Sequence, residues 1–144
     1  MLIESESAMP ASADAVYAAV ADLRQRPTWL TEMSEVDAPP GAAQAGTRFT
    51  ATSSLLLHSF HGASDVREAD GVSRLTEEVH LGARFQSMWT IVPSPTGTVL
   101  RHRIELDLPR GPLGWLARIA LGWRLRQMSR RSLRLLARRL SSAS

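Results

Sequence analysis

The sequence predicts an α+β chain in which one antiparallel sheet, dry on one face and wet on the other, is covered by a long C-terminal helix. Three observations carry this expectation. Residues 46–108 alternate apolar and polar positions in runs separated by short turns. Residues 112–140 instead repeat apolar positions at helical spacing. Charge is also segregated. The first 110 residues hold nine arginines against 14 acids, net −5, whereas residues 111–144 hold eight arginines and no acid, net +8.

Residues 1–7 suit a short strand, which Pro10 ends or turns. Ser12 and Asp14 supply helix-capping chemistry. Val16, Tyr17, Val20 and Leu23 then share a helical face. Pro27 permits a fresh first turn, so RPTWLTEM reads as a second, very short helix, pinned by Trp29 and Leu30. These two short helices occupy residues 12–31. Residues 35–46 are rich in Ala, Pro and Gly without periodicity and read as a loop.

Five strands follow, over 47–57, 59–68, 72–81, 83–92 and 98–108. Asp70-Gly71 and PSPTG supply turns, and the short links argue for a meander. With residues 1–7 and a further strand the sheet would have six or seven. Phe85, Ser87, Trp89 and Ile91 share one face of their strand. Leu100, His102, Ile104, Leu106 and Leu108 share one face of theirs, opposite Arg101, Arg103, Glu105 and Asp107.

In the tail, Leu121, Leu125, Met128, Ser132, Leu135 and Leu136 form one stripe of roughly five helical turns. Arg124, Arg126, Arg130, Arg131, Arg134 and Arg138 lie on the other side, and Arg139 breaks the pattern. A sheet with one apolar face needs a partner, and this stripe matches it. Between residues 113 and 123 both faces are apolar. Leu113, Trp115, Leu116, Ile119 and Trp123 are either gripped by loops or exposed to a ligand, a lipid or a second subunit. The arginines read first as a solvated face. Contact with a membrane or acidic partner comes second. Nucleic-acid binding comes last, since the chain has no turn-helix pair or zinc pattern and the acidic remainder opposes it.

A chain of 144 residues is expected to form one domain. With no cysteine, thiol nucleophiles and thiolate metal sites are excluded. The acidic N-terminus, without a long apolar run behind it, is unlike a signal peptide, and no stretch of 18 uncharged apolar residues occurs. The expected location is therefore cytoplasmic, with a weak membrane-surface contact left open. No phosphate-binding glycine loop, G-x-S-x-G elbow or HExxH pattern is present. His58, His61 and His80 are not spaced as metal ligands, and neither a metal nor another cofactor is expected.

The order strand, two small helices, loop, meander, long helix resembles the SRPBCC superfamily, which includes START lipid-transfer domains and birch-pollen-allergen-like proteins. Its polyketide cyclase/dehydrase-like branch is the specific likeness. The residues that carry it are PASADAVYAAVADLRQRPTWL, GTRF at 46–49, WTIVPSPTGTVLRHRIELDL, and GPLG followed later by RQMSRRSLRLLARRL. Trp29, Gly46, Thr47, Gly97 and Thr98 are structural matches that bring no catalytic assignment. The resemblance implies a helix-grip fold, with a curved antiparallel sheet wrapped around the C-terminal helix and a mostly apolar cavity between them.

His102 is the polar residue of most interest, since alternation points it inward. A satisfied core histidine is the plainer reading. A ligand-binding or acid–base role is the sharper one. Glu77 is in phase with Leu75, Val79 and Leu81 and faces either the same space or a solvated rim. His102 and Glu77 are the catalytic candidates. Trp89, Phe85, His102, Ile104, Trp115 and Met128 are the ligand-lining candidates, and Trp123 joins them from the helix side. Core packing is the plainer reading for Trp89, and adaptable filling for Met128. Tyr17 and Arg84 have no fixed direction.

Three functions follow. The first is binding of a hydrophobic small molecule, a lipid, polyketide or aromatic compound. The second, implied by the resemblance, is an aromatase/cyclase or dehydratase-like enzyme without a redox cofactor. The third is an interaction module at a membrane surface. The expected partner is a hydrophobic small molecule rather than a specific nucleic acid, and the chain is expected to be a monomer or homodimer.

Overall fold

The computed structural model describes residues 1–55, 58–81, 83–107 and 111–143. Seven strands form one antiparallel sheet: β1 (Leu2–Met9), β2 (Met33–Asp37), β3 (Arg48–Leu55), β4 (His58–Ala69), β5 (Arg74–Leu81), β6 (Ala83–Ser94) and β7 (Gly97–Leu106). Their spatial order is β1-β7-β6-β5-β4-β3-β2, so the first strand returns to flank the last. The sheet curls into a half-barrel around α2 (Pro112–Ala143), a continuous helix of 32 residues. A shorter helix, α1 (Ala13–Ala21), and a 3₁₀ helix (Leu23–Thr28) follow β1. This is the helix-grip architecture.

The five-stranded meander forms as expected, β3 to β7 pairing in succession. The expected last residue of its final strand, Leu108, lies outside the described residues. Two expectations are corrected. Residues 35–37 belong to β2 rather than to a loop. The second helical segment is a 3₁₀ helix that starts at Leu23 and ends before Trp29, with Pro27 inside it. The fixed φ of proline and its missing N–H suit this tight turn but give no new helical start.

Local chemistry sets the ends of these elements. The Ser12 hydroxyl accepts from Ala15 N at 3.2 Å and caps α1, burying Val16, Tyr17, Val20 and Ala21. Asp70 holds the β4–β5 turn. Its Oδ1 accepts from Val72 N, Ser73 N and Arg74 N at 2.8–3.0 Å, which keeps its carboxyl well below the usual range. Gly71, at φ +79°, donates its N–H to the Tyr17 hydroxyl at 3.0 Å and ties that turn to α1.

The two ends of the half-barrel differ. At one end α1 and the 3₁₀ helix close the concave face. Trp29, Phe49, Leu75, Trp89, Ile91, Leu100, Leu133 and Leu136 pack there into one core. At the other end lie the paired ends of β3 and β4 and of β5 and β6, together with the start of α2. Ile3, Val79, Ile104 and Leu106 are buried towards that end but do not join the core cluster.

On α2 the buried positions are Gly114, Gly122, Ser129, Ser132, Leu133 and Leu136, while Leu121, Leu125, Met128 and Leu135 are half-buried. The expected stripe is therefore correct in direction but turned by one position towards Ser129 and Leu133. Small residues dominate its buried centre because the helix lies close against β1. A Cβ added at Gly122 would meet Met1 Sδ at 3.5 Å.

Candidate polar seam and apolar wedge

Strand register puts Ser5, His102, Ser87, Glu77 and Ser64 on the concave face, one from each of β1, β7, β6, β5 and β4. Together they make a polar seam across five neighbouring strands. All are buried except the half-buried Ser5. The 3₁₀ helix adds Arg26, and α2 adds Ser129 and Ser132.

His102 is the centre of the seam. Its Nε2 lies 2.8 Å from Ser87 Oγ and its Nδ1 3.1 Å from Ser129 Oγ. Ser129 Oγ is also 2.6 Å from Ser5 Oγ. A chain of hydrogen bonds thus joins β6, β7, α2 and β1. The imidazole stacks on Trp89, with ring centroids 3.6 Å apart and planes 6° from parallel. Trp29 meets Trp89 edge-on at 5.5 Å. Burial first, and then the Arg26 charge, hold the His102 pKa down to about 3. His102 is therefore neutral near pH 7, with one ring nitrogen donating and the other accepting.

Arg26 is the second feature. Its Nη1 donates to Glu77 Oε2 at 2.9 Å and its Nη2 pairs with Glu77 Oε1. Its Nε and Nη2 donate to Val20 O at 3.2 and 3.1 Å, satisfying a carbonyl at the end of α1. The guanidinium also stands 5.6 Å from the Trp89 ring centroid and 5.9 Å from that of Phe49. A buried arginine is tolerable only because its charge and donors are met in this way.

A third group lies where α2 passes the link between the 3₁₀ helix and β2. Thr31 N donates to Ser132 Oγ at 3.0 Å, and Ser132 Oγ donates to Glu32 Oε2 at 3.4 Å. Burial pushes the Glu32 carboxyl above its ordinary range, against those hydrogen bonds and the Arg26 charge.

Burial differs on the two sides of the seam. The core on the closed side is fully buried. Inward-facing Phe85 on β6 and Phe60 on β4 are only half-buried, as are Leu121, Leu125 and Met128 on the sheet-facing side of α2. These half-buried side chains mark a candidate apolar wedge between helix and sheet, beside the seam. At the closed end, outside this wedge, Ala19, Trp29, Leu136 and Leu140 line a small cleft of about 70 Å³.

His102 and Glu77 both face the interior but are not hydrogen-bonded to each other; serines hold one and Arg26 the other. Trp89 is there too, its ring occupied by His102 and Trp29. Phe85 and Met128 are half-buried beside the candidate wedge, and Ile104 is buried on the concave face. Trp115 departs from the expectation, standing 63% exposed near the start of α2. Arg84 is on the convex face, paired with Glu78, which Arg67 and His80 also contact. Burial raises the Glu78 pKa, but Arg67 and Arg84 outweigh it and hold it low. Arg26, Glu32 and Ser129 went unnoticed in the sequence, and Ser87 was placed on a strand face with Trp89 but given no role. A cue for Arg26 existed, since an inward-facing Glu77 requires a buried cation.

Comparison with known proteins agrees with this architecture. Residues 2–141 match the family described as polyketide cyclase / dehydrase and lipid transport. The structure of TTHA0849 from Thermus thermophilus has a TM-score of 0.84 at 20% identity, covering 100% of this chain and 99% of that one. A START superfamily protein from Mycobacterium smegmatis gives 0.78 at 14% identity, covering 99% of each chain. Ara h 8.0201 gives 0.69 at 12%, covering 99% of this chain and 98% of that one. At these identities the likeness concerns the fold alone. No curated protein gives a significant match. The family match, spanning nearly the whole helix-grip domain, places the chain in the polyketide cyclase / dehydrase and lipid transport family.

Proposed function

We propose that the protein binds a hydrophobic small molecule in the wedge between α2 and the concave sheet, with a polar end of the ligand against the seam. The observation that carries this reading is the change in burial across the seam. Phe60 and Phe85 on the sheet and Leu121, Leu125 and Met128 on α2 are half-buried on one side, whereas the core on the other side is tightly packed. Removing apolar ligand surface from water would supply the affinity, and a few fixed polar groups the orientation. The Trp89 indole N–H supports a polar contact, being buried without an acceptor among the described residues.

The seam is electrically balanced. Arg26 is matched by Glu77, and His102 is neutral. It suits a carbonyl or hydroxyl better than an ion. In a cyclase- or dehydratase-like enzyme, which the family description keeps as the second reading, the same groups would orient and polarise a carbonyl. With a pKa near 3, His102 is badly matched to proton abstraction at neutral pH.

Native mass spectrometry of gently purified protein should reveal a retained apolar molecule. Met128→Trp, which fills the wedge, should weaken binding of an environment-sensitive apolar dye roughly tenfold or more while leaving the fold intact. Absence of a retained molecule, together with unchanged dye binding in that variant, would refute the reading.

A further inference from the structure

The N-terminal third of α2 buries Gly114 and Gly122 but leaves its large apolar side chains in the open. Leu113, Trp115, Leu116, Ile119 and Trp123 are between 56% and 83% exposed. They account for five of the seven large hydrophobic residues exposed among the described residues. The cause is geometric. Gly122 lies level with Met1, whose N-terminal amine donates to Leu106 O at the end of β7. The ten residues before Gly122 therefore run past that end of β1 and β7, by about 15 Å at 1.5 Å per residue.

At 100° per residue, Leu116 and Trp123 lie about 100° or more from buried Gly122, with Ile119 between them and Gly122 and Trp115 at the near edge, so the four side chains span one arc of about 100°. Arg126, Arg130 and Arg134 continue the same outward stripe, and Arg118 and Arg124 flank its apolar part. α2 has no acid. Among the described residues none of its arginines forms an ion pair; Arg139 bonds instead to the Gln25 amide oxygen at 3.0 Å.

We infer that this overhang is a docking surface for an anionic lipid membrane, entered in plane by Trp115, Leu116, Ile119 and Trp123 and held by the surrounding arginines. Charge complementarity selects that occupant. An apolar stripe bordered only by cations suits the boundary between acyl chains and anionic headgroups, where tryptophan is favoured. Two copies meeting stripe to stripe would bring arginines together with no acid on either helix to offset them. No helix among the described residues is long and apolar enough to cross a membrane, so the contact is peripheral. The inference stands whether or not the wedge binds a ligand.

Cosedimentation of the full chain with phosphatidylcholine vesicles, with and without phosphatidylglycerol, tests it. Binding should require phosphatidylglycerol and weaken with added salt. Arg126→Gln with Arg130→Gln should weaken it roughly thirtyfold, at about fivefold per charge. Trp115→Ser with Trp123→Ser, both at exposed positions, should abolish it while dye binding in the wedge and the unfolding midpoint stay unchanged. Equal sedimentation with neutral vesicles, or none with either, would overturn the inference. So would a lipid-free dimer in sedimentation velocity that the tryptophan variants dissociate, since the patch would then belong to a second copy.

Discussion

Replacing His102 with glutamine should flatten the dependence of stability on pH. Burial and the Arg26 charge lower the folded-state pKa from 6.5 to about 3. Between those values the unfolded chain binds a proton here that the folded protein does not. Stability therefore falls as pH drops, by about 1.4 kcal/mol per unit. Going from pH 7 to pH 5 the loss is about 2 kcal/mol, set by the unfolded value and the same for any folded value below about 4. Glu32 has the opposite sign. Its raised pKa adds stability as pH falls towards 4.5, so the wild-type profile alone mixes both groups. Asp70 and Glu78, with lowered values, lose their contributions only below their ordinary 3.8 and 4.5. Urea unfolding at pH 7 and pH 5, for wild type and His102→Gln, isolates the histidine. The wild type should lose about 2 kcal/mol more than the variant between the two pH values. Equal losses would show that His102 is charged in the folded protein or open to water, and would refute the neutral hydrogen-bonded ring.

Three further outcomes follow from the same interior. Glu77→Gln leaves Arg26 buried and unpaired and should cost about 3–5 kcal/mol in urea unfolding, most of it recovered when Arg26→Met accompanies Glu77→Leu. Gly97→Ala should destabilise by about 1–3 kcal/mol in the same assay, because φ is +148° and the added Cβ would stand 2.9 Å from Met9 O. In competition with the apolar dye, a long-chain methyl ester should outbind its carboxylate, since the seam offers no free charge; stronger binding of the carboxylate would contradict the balanced interior.

The features legible in the sequence were those with a period. Strict alternation in β6 and β7 revealed both the strands and their inward faces, and the leucine spacing of α2 revealed its dry side. β2 was illegible because a register shift between Met33 and Glu35 breaks its alternation at the sheet edge. Phase also pointed His102 and Glu77 inward. It was silent on what holds them, since serine suits either face and Ser5, Ser87 and Ser129 meet only through tertiary packing. Arg26 was hidden differently. An arginine in a short 3₁₀ turn resembles any surface arginine until Glu77 lies beside it. The region 113–123 is apolar on both faces, so periodicity allowed burial or exposure alike. The length by which α2 overruns β1 decided for exposure.

That overrun connects the two halves of the chain's charge asymmetry. The acid-free helix can lie in a half-barrel because its sheet-facing centre is glycine and serine at Gly122, Ser129 and Ser132. Small residues let the backbone approach β1 closely, and the serine hydroxyls then reach Ser5, His102 and Thr31. Arginine at any of these positions would need a buried acid, and Glu77 is already taken by Arg26. The arginines are therefore confined to the water side, where screening over about 8–10 Å weakens their effect on the interior. One face of the helix is left to act through dipoles and shape, and the other through charge. The helix can thus carry a strongly cationic exterior while the seam beneath it stays neutral.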